Sequence, residues 1–191
     1  MMKKKLIWTL LLLAALPASF AQRNRVYTSL DEVVCPDSVF ELNLKRAGLR
    51  EFPVRILEFR NLEKLDMSRN KMIKLPVEIN CLKNLIYLNL NHNRLDSVPK
   101  ELGQLEKLET LILSRNRILE LPAELGELCN LKELRLLSNG IISLPENFRK
   151  LDKTLKILDL RANPQTYEQQ EQIKSVLPSV EIKMTYVCNC Q

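Results

Sequence analysis

Glycine is scarce in this 191-residue chain, with four in all, and aromatic residues make up only 5%. Gly48, Gly103, Gly126 and Gly140 lie far apart, which excludes a glycine-rich loop that cradles phosphate. His92 is the only histidine, so a His-Glu-x-x-His metal site is excluded, and no nucleophile elbow occurs either. The carboxylates are abundant but sit in charged, solvated positions and call for no acid–base role. These absences point away from an enzyme and leave no cofactor to expect. The five cysteines are odd in number and widely spaced, unlike the close, even set of a disulfide-built domain.

The first segment has an order of its own. Lys3, Lys4 and Lys5 precede an apolar run from Leu6 to Leu16, Pro17 breaks it, and Ser19-Phe20-Ala21 supplies small residues where a signal peptidase reads. The expectation is a secretory signal peptide over residues 1–21, cleaved before Gln22. The run falls short of the ~20 residues a spanning helix needs. No second long apolar stretch follows, so no stable membrane insertion is expected after cleavage. Removing three lysines and no acid lowers the formal charge from +6 to +3. A nucleic-acid binder keeps a clustered basic charge, and an exported protein meets little nucleic acid, so none is expected as a partner.

What is present is repetition. Leu62, Leu85, Leu108 and Leu131 recur every 23 residues and open LEKLDMSRNKMIKLP, LIYLNLNHNRLDSVP, LETLILSRNRILELP and LKELRLLSNGIISLP. VFELNLKRAGLREFP starts earlier, at Val39, and LKILDLRANP starts at Leu155 after a unit one residue longer. Alternation within each unit, as in Leu88 and Leu90, has the period of a strand with one face inward. Asn70, Asn93, Asn116, Asn139 and Asn163 follow the strands, where an amide can both donate to and accept from a bend's backbone. Pro53, Pro76, Pro99, Pro122 and Pro145 fix φ on the return limb, and pairs such as Ile79 and Leu82 suit a turn or two of helix. One unit cannot bury its apolar face alone, so neighbours must stack.

These units resemble the leucine-rich-repeat family in its 23-residue Leu-Pro variant, and in particular short secreted bacterial members. The resemblance covers residues 39–164 and implies an α/β fold: a right-handed solenoid with a parallel β-sheet on its concave face. It implies binding rather than catalysis; bacterial leucine-rich-repeat ligases carry a large further domain for which this chain has no room. The expected organisation is a signal peptide at 1–21, an N-terminal cap at 22–38, five full units and a partial sixth at 39–164, and a C-terminal cap and tail at 165–191.

In the N-terminal cap, Ser29 to Glu32 has the spacing of a capping box, with Leu30, Val33 and Val34 as an apolar face and Pro36 ending the helix. In the C-terminal cap, Thr166 and Gln169 form a second box before a helix over 167–176, and Val180, Ile182, Met184 and Tyr186 alternate as a closing strand. Ala47 replaces the ladder asparagine in the first unit, as befits a terminal repeat. Cys81 and Cys129, two repeats and roughly 10 Å apart by strand spacing, lie beyond the ~7 Å limit for a disulfide and read as small core residues. Cys188 and Cys190 read as a tail with unpaired thiols or a strained bridge, with a soft metal or a second chain as the other possibilities.

The binding surface follows from the strand period, which sends the third, fifth, seventh and eighth positions of each unit onto the concave face. Tyr87, Ile112 and Leu137 make a diagonal apolar stripe across it, with Arg135, His92 and Arg115 as neighbours. Arg46, Arg69, His92 and Arg115 form a basic edge, extended by Lys71, Arg94 and Arg117. An aromatic and aliphatic centre with arginine nearby has the composition of a protein-binding hot spot. The expected function is therefore an exported scaffold for a protein partner, in the periplasm, cell envelope or exterior. The alternative is a binder of an acidic glycan or envelope polymer through the basic edge.

Overall fold

The computed structural model describes residues 24–185, so the leader, Tyr186, Cys188 and Cys190 fall outside the described residues. Eight short strands follow one another in chain order in one sheet, every pair parallel: β1 (Val26–Tyr27), β2 (Glu41–Asn43), β3 (Lys64–Asp66), β4 (Tyr87–Asn89), β5 (Thr110–Ile112), β6 (Glu133–Arg135), β7 (Ile157–Asp159) and β8 (Glu181–Lys183). The register is that of the repeat itself, so Leu42, Leu65, Leu88, Leu111, Leu134, Leu158 and Ile182 stand in one row. All of this row but Ile182 is fully buried. Each fully buried leucine contributes roughly 1.5–3 kcal/mol, and no single unit supplies the surface to bury it against.

On the return limb each proline stands just before a short 3-10 turn: Val54–Glu58, Val77–Cys81, Lys100–Gln104, Ala123–Glu127 and Glu146–Lys153. These tighter turns replace the turn or two of helix expected there, because the 23-residue period leaves few residues to cross the back of the core. Neighbouring turns stack so closely that a Cβ on Gly103 would run into the carbonyl of Glu124, and one on Gly126 would meet the Asn147 oxygen at 2.5 Å. Two of the four glycines are thus explained by packing.

The asparagine ladder forms as expected. Asn93 Nδ2 donates to the carbonyls of Met67 and Leu90, both at 3.0 Å, and its Oδ1 accepts from the N–H of Met72 at 3.2 Å. Asn116 does the same with Leu90, Leu113 and Leu95, and Asn70, Asn139 and Asn163 repeat it. Each amide thus ties two adjacent units together at the bend. Ala47 is exposed and contributes no rung.

The two ends differ from expectation unequally. In front, β1 was not foreseen; it pairs with β2, and Tyr27 is buried with its hydroxyl 3.0 Å from Ser38 Oγ. Ser29 does cap a 3-10 turn at Leu30–Glu32, by accepting from Asp31 N, but the reciprocal bond of a capping box does not form. The Glu32 carboxylate reaches back past the cap instead, where it accepts from Thr28 Oγ1 and pairs with Arg25. Val33 is buried but Val34 is 94% exposed, since extended backbone after the turn points consecutive side chains apart. Pro36 begins a second turn, Pro36–Ser38, rather than stopping the first. At the back, Thr166 and Gln169 form the full capping box of helix α1 (Tyr167–Val176), and β8 closes the sheet against β7. Cys81 and Cys129 are exposed, contrary to the core reading, as is Cys35. They fall at or just after the ends of 3-10 turns on the outer surface, where the buried positions belong to Ile79, Leu82, Leu125 and Leu128.

Candidate functional site

The concave face is built by the positions that alternate with the buried leucine row. Asn89 of β4 stands opposite Ile112 of β5, which stands opposite Arg135 of β6. Tyr87 lies two residues before Asn89 and Leu137 two after Arg135, so Tyr87, Ile112 and Leu137 cross three units on a diagonal. All three are half-buried. They line one hollow of about 480 Å³ with Arg69, Asn91, Arg115, Arg135, Asp159 and Arg161 among its other walls.

The fifth position of the repeat explains why the stripe sits where it does. In units one, two, three and six this residue is Asn43, Asp66, Asn89 and Asp159, and its Oδ1 accepts the N–H two residues on, at 2.8–3.2 Å. That closes a small turn at the end of the strand. Units four and five put Ile112 and Arg135 there and forgo the bond. The column reads as structural in four units and as free for another use in two.

Charges around the hollow are partly neutralised. Arg161 binds Asp159 through Nε at 2.8 Å and Nη2 at 2.7 Å, and Arg135 pairs with Glu133. The Arg161 guanidinium holds the Asp159 carboxyl below the usual carboxylate range, outweighing the burial that pushes it up. Burial, and then the nearby Asp66 charge, raise the Tyr87 phenol above its ordinary value, so it stays a neutral amphipathic ring. The sequence pattern did not single out Asp159 or Arg161 as part of this site. An acid two residues before an arginine, both flanking a buried leucine, is the signal that marks them.

The eighth position requires a correction. Arg46, Arg69, His92, Arg115, Ser138 and Ala162 do not lie on the strand face: each has φ between 54° and 61° and forms a left-handed corner where the chain leaves the sheet. Five of their N–H groups donate to carbonyls of the next unit, from Arg46 to Ser68 through Ser138 to Arg161. The seventh position is also less open than alternation implies, since Ser68 and Ser114 are buried beneath this corner. The corner turns the basic side chains toward a separate groove of about 790 Å³, lined by Arg46, Arg69, His92, Arg115, Lys71, Arg94 and Arg117. His92 therefore belongs to the groove and not to the hollow with which it was grouped. Arg69 and Arg115 line both.

Among the described residues no group of His, Cys, Asp and Glu is arranged to hold a metal ion, and no helix is long and apolar enough to cross a membrane.

A row of parallel strands, an asparagine ladder and a proline-led return limb define a class of protein. Residues 60–118 match the leucine-rich-repeat family model, and the flanking units carry the same ladder and register. The chain is a leucine-rich-repeat protein. Its fold is similar to that of a leucine-rich-repeat protein of Leptospira interrogans, at 34% identity and a TM-score of 0.66, over 86% of this chain and 49% of that one. It is also similar to the ectodomain of the Arabidopsis thaliana receptor kinase GASSHO1/SCHENGEN3, solved with Casparian strip integrity factor 2 (22% identity, TM-score 0.61, 85% of this chain and 22% of that one). A third similar structure is the plant peptide hormone receptor RGFR1 in complex with RGF2 (23% identity, TM-score 0.56, 70% and 23%). The chain thus spans about half the length of the bacterial protein and under a quarter of the two plant receptors. No curated protein matches it in sequence. Leucine-rich-repeat proteins are in general binding scaffolds rather than enzymes.

Proposed function

We propose that this protein is an exported, non-catalytic scaffold that holds a protein partner in the concave hollow, with Tyr87, Ile112 and Leu137 as the apolar anchors. The observation that carries this reading is at the fifth position, where Ile112 and Arg135 replace a residue that elsewhere closes a turn. A half-buried aromatic and two aliphatics with arginines beside them match the composition of interface hot spots. The two similar plant receptors are complexes with their own factors, a use that the same fold admits. Export rests on the charged, apolar and small-residue order of residues 1–21. The test is capture from envelope and extracellular fractions by the chain from Gln22 onward, in parallel with Ile112→Asp. A protein retained by the parent and lost by the variant supports the reading, and equal retention by both refutes it.

A second reading rests on the groove. Among the described residues, none of its seven basic and histidine side chains forms an ion pair, whereas eight pairs form elsewhere. An acidic glycan or envelope polymer lying there would bind with a steep dependence on ionic strength, unlike apolar docking.

A further inference from the structure

The groove and the hollow share two walls, Arg69 and Arg115. Of the four arginines around the hollow, Arg135 and Arg161 already have Glu133 and Asp159 as partners. The charge left over therefore sits on the two arginines that continue into the groove. Nothing in the backbone asks for a cation there: Ser138 and Ala162 adopt the same left-handed corner, at φ 57° and 54°. The tenth position behaves alike, with Lys71, Arg94 and Arg117 in units two to four but Gly48, Gly140 and Pro164 in the others. Both cationic columns stop at the fourth unit, the unit that carries Ile112 at the middle of the stripe.

We propose that hollow and groove are one continuous surface, and that its occupant is an extended acidic segment of a protein. An aromatic or aliphatic side chain of that segment sits among Tyr87, Ile112 and Leu137, and its carboxylates follow the groove. This rests on the protein-binding reading above and names the chemistry of the partner. From Arg46 to Arg115 there are three inter-unit steps, roughly 15 Å at ~4.8 Å each, the reach of four or five extended residues at ~3.3 Å. Carboxylates alone would satisfy the groove and leave the stripe uncovered, whereas an apolar residue alone would leave Arg69 and Arg115 unmatched. Only a polymer carrying both kinds of group uses the surface that those two arginines join.

Three probes test it on the chain from Gln22 onward: a random copolymer of glutamate and tyrosine, poly-glutamate, and polygalacturonate, matched in charge and length, with binding measured at low and high salt. The copolymer is expected to bind about 30-fold more tightly than poly-glutamate, the scale of a hot-spot contact. Ile112→Asp should abolish that advantage. Arg69→Gln with Arg115→Gln should weaken both peptides by about tenfold at low salt and much less at high salt, while Arg149→Gln on the return limb has no effect. Thermal melts of each variant establish that it is folded, and single Arg115→Gln serves if the double variant is not. A copolymer preference that ignores Arg69 and Arg115 overturns the joined surface while leaving the hollow as a protein site. Equal binding of copolymer and poly-glutamate, unaffected by Ile112→Asp, sinks the protein-binding hollow itself. Polygalacturonate binding as tightly as the copolymer overturns the proposal in favour of the polysaccharide reading.

Discussion

Ile112 stands directly across the parallel ladder from Asn89, and the two use the same position of the repeat for opposite purposes. Asn89 Oδ1 accepts the N–H of Asn91 at 3.0 Å, and its Nδ2 donates to Asp66 Oδ2 at 3.0 Å. Ile112 presents a half-buried hydrocarbon to the hollow instead. The pair isolates what the strand needs from what the surface is used for.

Ile112→Asn is therefore expected to restore the turn-closing acceptor that the neighbouring units have. It should melt no lower than the parent, and up to about 1 kcal/mol higher, the net worth of one hydrogen bond. The same change should weaken partner binding by about 2 kcal/mol or more. Denaturant unfolding alongside a binding titration measures both. Lower stability with intact binding would assign Ile112 to packing.

Asn93→Ala and Asn116→Ala should each destabilise the whole domain, since each amide donates to a carbonyl of its own unit at the bend and, in the preceding unit, donates to a carbonyl and accepts from an N–H. The cost is about 1–3 kcal/mol for the buried groups left unpaired. A surface control such as Lys100→Ala should stay within about 0.5 kcal/mol. Urea midpoints that do not separate the two classes would remove the ladder from the energetics.

Arg161 makes stability depend on acid pH. Its bond to Asp159 holds the carboxyl below the usual range, so the folded state favours the ionised form. That contribution is complete above the pKa of an unfolded aspartate, and fades as pH falls through the lowered folded value. Melting temperature against pH should fall more steeply on the acid side for the parent than for Asp159→Asn. Parallel curves would show that the pair is too exposed on its arginine side to matter.

The exported form should begin at Gln22, since the cationic, apolar and small-residue segments end at Ala21. Intact mass of the protein recovered from the extracellular or periplasmic fraction decides it. A mass that includes residues 1–21 would mean the segment is retained.

The ladder, the strands and the closing helix were all legible in the chain because each depends on short-range spacing. Asn93 follows Leu90 at an interval that recurs through the units, and Thr166 with Gln169 marks a helix start by local hydrogen-bonding alone. The diagonal of Tyr87, Ile112 and Leu137 was legible for the same reason, since a strict period converts sequence columns into sheet columns. Strand β1 was not, because Val26 and Tyr27 carry no repeat signature and take their form from the edge of β2. The solvent face of Cys81 and Cys129 was not either, since the inward positions of those turns are already filled by Ile79, Leu82, Leu125 and Leu128, and residue type alone does not tell a small core cysteine from a surface one.

What the sequence by itself determined is the architecture: a 23-residue period, a buried leucine row and an asparagine rung per unit admit one way of stacking. What only the tertiary structure decided is how the surface divides. The repeat puts Arg69 and Arg115 one residue past the concave strand positions, and their left-handed corners, held by bonds to the carbonyls of Asn91 and Leu137, turn them to the junction of hollow and groove. Residue spacing carries the period of a strand, whereas the sign of φ at its end is fixed by the neighbouring unit's carbonyls, which come within reach only once the units have stacked.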